Sequence, residues 1–100
     1  MEYLTLSADV NTTGIRNDFK GEMSQEDLPL NEEIWHEIKC WLSKYEEIIP
    51  LSIDQRKERI AQIIKLDNQG VKIKEKILRI TNGTCKVRYF SEGFFKFIGV

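Results

Sequence analysis

From Ser52 to Ile80 the chain repeats apolar residues at intervals of three and four, a spacing that only an α-helix gathers on one side. Ile60, Ile64, Val71 and Leu78 make one stripe, and Ile63, Leu66, Gly70, Ile73, Ile77 and Ile80 make another beside it. A helix with so wide an apolar face needs a second layer to cover it, which rules out a purely extended or disordered chain. Ser52 followed by Gln55 fits a capping box and predicts the helix start. Gly70 in its interior costs about 1 kcal/mol relative to Ala. Either a close contact with a sheet residue or a Trp, or a break into two helices near Asn68 to Gly70, would account for it.

A shorter helix precedes it. Asn31 is a good N-cap, Glu32 and Glu33 occupy a first turn where the helix dipole favours anions, and Leu30 can pack on Trp35. Ile34, Ile38, Trp41, Leu42, Tyr45, Ile48 and Ile49 then keep helical spacing until Pro50 stops the helix. Strand signals flank the helical half. Tyr3 to Ser7 alternates and is rich in β-formers, and Cys85, Val87 and Tyr89 mark one side of a half-buried strand over Cys85–Phe90. Thr81-Asn82-Gly83-Thr84 is a turn, and Phe94 to Val100 is a candidate edge strand. Residues 8–30 follow neither period and are punctuated by Gly14, Asn17, Gly21 and Pro29, so a long irregular loop is expected there. The fold expected is a single α+β domain over 1–100. Two main helices pack on a sheet of two to three strands, in the order β-α-α-β-β.

Of the 100 residues, 41% are hydrophobic and 31% charged, enough apolar material for one core without a metal or disulfide framework. Cys40 and Cys85 match no metal knuckle or secreted disulfide scaffold and read as free buried thiols in a reducing cytosol. Met1 to Val10 carries Glu2 and Asp9 and lacks the apolar stretch of a signal peptide, and no run approaches the ~18 apolar residues of a membrane span. A cytoplasmic protein, not bound to membrane, is the expectation. The net charge of -1 hides a split: residues 1–50 hold 11 acidic and 4 basic side chains, residues 51–100 hold 5 acidic and 11 basic. Such a division suits two halves that dock on each other or two faces for different partners.

No catalytic constellation stands out. His36 is the one histidine, and with Cys40 one turn away it offers two ligands where structural zinc needs four. The nucleophile elbow, phosphate-binding loop, dinucleotide fingerprint and zinc-protease helix motifs are missing. Glu32/Glu33 and Glu46/Glu47 are adjacent pairs, which on a helix point about 100° apart and do not converge as an acid–base couple must. No cofactor or metal is expected, and no enzyme. A basic series, Arg56, Lys57, Arg59, Lys65, Lys72, Lys74, Lys76, Arg79, Lys86 and Arg88, would suit phosphates. Glu58, Asp67 and Glu75 interrupt it, and direct nucleic-acid binding through this helix is the second reading. The first rests on the loop and the start of the first helix. Asp18, Glu22, Glu26, Asp27, Glu32 and Glu33, with Phe19 and Met23 as apolar anchors, form an acidic partner-binding surface of the kind that matches a basic cleft and steers encounter.

Tyr3-Leu4-Thr5-Leu6-Ser7-Ala8-Asp9, Asp27-Leu28-Pro29-Leu30-Asn31, Trp41 with Tyr45, Gly70, and Lys86-Val87-Arg88-Tyr89-Phe90-Ser91-Glu92-Gly93 form a pattern along most of the chain. It resembles bacterial immunity proteins encoded beside polymorphic or contact-dependent growth inhibition toxins. The resemblance implies a protein that binds its cognate toxin domain, often a nuclease, and covers the active site without catalysis of its own. Residues 10–26 depart most from the pattern, as a segment that sets partner specificity would.

Overall fold

The computed structural model describes residues 1–9, 11–28 and 30–99. Val10 and Pro29 of the expected loop, and Val100 at the end of the expected edge strand, lie outside the described residues. Eight elements follow in chain order: β1 (Glu2–Ser7), β2 (Ile15–Asn17), β3 (Gly21–Glu22), α1 (Glu32–Tyr45), α2 (Ile53–Lys57), α3 (Ile60–Thr81), β4 (Cys85–Ser91) and β5 (Lys96–Ile98). The α+β class and the helical layer on a sheet are as the sequence predicts, but the sheet has five strands rather than two or three. Its order is β3-β2-β1-β4-β5. β1 and β4 are parallel neighbours at the centre, and every other pair is antiparallel.

The extra strands come from the segment expected to be irregular. Ile15-Arg16-Asn17 alternates buried, exposed, buried, and pairs Ile15 with Leu6 and Asn17 with Leu4. Asn17 closes the following turn, its side-chain oxygen accepting from the amides of Phe19 and Lys20 at 3.0 and 3.1 Å. Gly21, at φ +93°, returns the chain as β3, a conformation in which glycine meets no Cβ penalty.

Both helix starts carry the expected caps. The Asn31 side chain accepts from the Ile34 amide at 2.9 Å, and Ser52 and Gln55 complete the reciprocal capping box. The helices end and break elsewhere than expected. α1 stops at Tyr45 rather than running to Pro50, and the following turns bury Ile48. The predicted long helix is interrupted at Glu58–Arg59, and it runs straight through Gly70. The interruption lets Arg56 turn inward. Its guanidinium donates to the carbonyls of Leu51 (3.0 Å), Ile49 (2.8 Å) and Glu92 (2.6 Å), tying α2 to the turn between β4 and β5.

Leu4, Leu6, Ile15, Val87 and Tyr89 project from the sheet into the helices, where Ile38, Trp41, Ile63, Ile73 and Ile77 meet them. Burial of that contiguous apolar set is the main stabilising term. Inside it sits one polar cluster. The Asp67 carboxyl group accepts from the hydroxyls of Tyr45 (2.7 Å), Tyr89 (2.6 Å) and Ser91 (2.7 Å), and Tyr45 in turn accepts from the Gly93 amide at 3.0 Å. Burial, with Asp67 alongside, pushes the Tyr45 hydroxyl up to about 12 and raises Tyr89 too, so both keep the protons they donate. Among the described residues no helix is long and apolar enough to cross a membrane.

Candidate functional site

At one end of the sheet, where edge strand β3 meets the C-terminal turn of α3, the surface opens into a groove of about 520 Å³. Glu2, Lys20, Glu22 and Asp27 supply its charged rim, while Met23, Leu28, Ile80 and Cys85 give it apolar walls. The rim is anionic for identifiable reasons. The Asn17 amide, 2.5 Å away, and then Lys20 hold the Glu2 carboxyl below the usual carboxylate range. The backbone amide and hydroxyl of Ser24, both donating to Asp27, hold that carboxyl low as well. Glu22 is fixed in place by the Thr13 amide at 2.9 Å.

Ile80 separates this groove from a second hollow lined by Asn31, Glu33, Glu37, Lys76 and Arg79. The Ile80 side chain is 40% exposed although its spacing places it with the core stripe. Glu32 and Glu33 stand exposed at the start of α1, where the helix dipole favours them, and Glu26 projects from the turn leading there. The result is an acidic end of the molecule with an exposed isoleucine between two hollows.

Six of the eight partner-binding candidates belong to this end: Glu22, Met23, Glu26, Asp27, Glu32 and Glu33. Asp18 and Phe19 do not. Asp18 lies over the opposite face of the sheet, accepting from Thr5 at 2.6 Å and pairing with Arg88 at 3.2 Å, so its charge is answered within the fold. Phe19 packs edge-on against Tyr3 on that same face. The turn that closes β2 sends consecutive side chains to different sides, which a string of acidic residues does not reveal. Sequence reasoning missed Ile80 and Lys20; the helical period gave Ile80 to the core, and no local signal marks either.

The basic series also divides. Arg56 is buried and spent on carbonyls, Lys57 pairs with Asp54, Lys76 with Glu37 at 2.8 Å, and Arg88 with Asp18. Arg59, Lys65, Lys72 and Arg79 stay exposed along the second helical unit, while reversing Arg56 would test folding rather than binding. His36 and Cys40 do approach, with Nε2 and Sγ 3.6 Å apart, and both are exposed; of the two thiols expected to be buried only Cys85 is, because Cys40 falls on the outer face of α1. Among the described residues no group of three or more His, Cys, Asp or Glu side chains converges. Comparison with known proteins adds no relative: no family model, no curated protein and no solved structure matches the chain.

Proposed function

We propose that this protein is an immunity-type inhibitor that binds a cognate bacterial toxin domain of nuclease type and covers its basic active-site cleft with the acidic end of the molecule. One observation carries the reading: Glu22 and Asp27, with Glu2 and its partner Lys20, rim an apolar-walled groove that adjoins the exposed Glu33 through Ile80. Such a surface offers what a nuclease cleft asks of a blocker. Carboxylates take the places of substrate phosphates opposite lysines and arginines, and a central apolar side chain gains affinity on desolvation. Long-range attraction speeds the encounter.

The test is co-expression in bacteria with a cognate toxin domain, sought first as the variable C-terminal domain of a large secreted protein in the neighbouring reading frame. The reading expects growth to be restored against that toxin and not against unrelated nuclease toxins. Unchanged killing, together with no complex on size-exclusion chromatography, would reject it.

A further inference from the structure

The end of the molecule opposite the acidic groove carries a second, chemically inverted surface. Helix α3 spans the two, its Ile60 and Ile80 standing about 30 Å apart at 1.5 Å per residue, in a molecule whose longest dimension is 39 Å. Around the start of α3, Ile53, Ile60, Ile64 and Phe95 are 68%, 45%, 47% and 57% exposed. Single exposed apolar residues are ordinary, but here three of them line one hollow. Ile53, Ile60 and Phe95 surround it together with Phe94, Arg56 and Lys57, and its volume is about 300 Å³. Ile64 extends the same helix face one turn beyond Ile60.

The hollow is rigidly built. Gly93 forms part of its lining, and a Cβ there would lie 2.4 Å from Ile63 and 2.9 Å from the Tyr45 hydroxyl. Phe95 sits at φ +53°, a left-handed conformation that costs a bulky side chain about 1 kcal/mol or more and that persists only where surroundings enforce it. The enforcement is visible: Arg56, pinned by three carbonyls on two segments, holds its guanidinium 4.5 Å from the centre of the Phe95 ring.

Charge identifies the occupant. From Ile53 to Lys65 the chain carries four cations, Arg56, Lys57, Arg59 and Lys65, against two acids, Asp54 and Glu58, with Arg56 engaged by carbonyls and Lys57 3.6 Å from the exposed Asp54. The first turn of α3 contains no acidic residue, and its N-cap, Arg59, makes no side-chain cap, so the positive end of the helix dipole adds to the field. Lys96 approaches from the sheet side, its ammonium 5.8 Å from the Phe94 ring. We propose that this pole is a second docking site, independent of the acidic end, for an acidic amphipathic segment of a protein partner. The segment places Leu- or Phe-like anchors in the hollow and carboxylates against Lys57 and Lys96. A nucleic acid would meet the cations but leave the isoleucines without a match, which is why the site favours a peptide.

Fluorescence anisotropy tests this with two labelled 14-residue helical peptides that share Leu at positions i, i+3, i+4 and i+7 and carry either Glu or Lys elsewhere. The Glu peptide is expected to bind at least about tenfold more tightly than the Lys peptide and to weaken as salt rises. Ile60→Glu and Phe95→Asn, the second chosen because Asn tolerates left-handed backbone, should each weaken binding about tenfold or more while leaving the circular dichroism spectrum unchanged. Neutralising Glu26, Asp27, Glu32 and Glu33 should leave it alone. Equal binding of the two peptides, no binding, or full binding by Phe95→Asn overturns the proposal. Displacement of the peptide by a single-stranded RNA dodecamer that Ile60→Glu still binds does the same and assigns the pole to nucleic acid.

Discussion

A Cβ placed on Gly70 would lie 2.3 Å from Cε1 of Tyr89, so the central helix and the central parallel strand touch at a point where only glycine fits. This contact settles why a helix interior tolerates its poorest ordinary residue. Gly70→Ala gains about 1 kcal/mol of helix propensity, but it drives a methyl group into a buried ring that cannot swing away. Overpacking of that kind costs about 1–3 kcal/mol, so the variant is expected to melt lower than the parent by several degrees. Thermal denaturation followed by circular dichroism checks the sign; a higher melting temperature would mean that Tyr89 is free to move.

The same approach of helix to strand delivers the Tyr89 hydroxyl to Asp67, and Asp67 in turn collects Tyr45 and Ser91. Three donors on one buried carboxyl group make it the polar anchor between α1, α3 and β4. Asp67→Asn exchanges an acceptor oxygen for a donor that faces hydroxyls already committed as donors. The expected loss is about 3 kcal/mol, since buried donors left without an acceptor carry the full cost of their desolvation. Tyr89→Phe should lose less, having removed one partner only. Urea unfolding midpoints, with unchanged slopes, are the measurement.

At the C-terminal ends of the parallel strands β1 and β4, Glu92 stands beside Asp9. Burial first, then the hydrogen bond and negative charge of Asp9, raise the Glu92 carboxyl to about 7, against the opposing pull of Arg56 and Arg16. A carboxyl raised on folding favours the protonated state of the folded protein. Its stabilising contribution is therefore whole below pH 4.5 and fades as pH rises towards 7. Glu92→Gln should flatten the stability profile over that interval and exceed the parent in stability at pH 8. Equal slopes for parent and variant between pH 5 and 7 would show that Glu92 titrates as a surface group.

The parts legible from sequence were those with a repeating or reciprocal signal. Asn31, the Ser52–Gln55 pair and the helical period located both helix starts, and alternation located β1 and β4. β2 and β3, three and two residues long, are too short to display a period. They exist because β1 offers an edge and Asn17 closes the turn. The break at Glu58–Arg59 is hidden because the apolar spacing continues across it, and the carbonyls of Glu92 and Gly93 that receive Arg56 are distant in sequence. Arg56 consequently looked like one more surface cation. Of the acidic residues that charge alone groups as a candidate site, Glu22, Glu26, Asp27, Glu32 and Glu33 lie at one end of the molecule, whereas Asp18 faces Arg88 across the sheet.

Whether the acidic end is the binding end decides the proposed function. Isothermal titration of a toxin domain that the chain protects against on co-expression, into the parent and into a quadruple variant, Glu26→Gln, Asp27→Asn, Glu32→Gln and Glu33→Gln, measures this directly. With roughly 0.7 kcal/mol from each exposed charge, the variant should bind about a hundredfold more weakly, and the difference should shrink in high salt. A folded variant that binds as tightly as the parent would contradict the account.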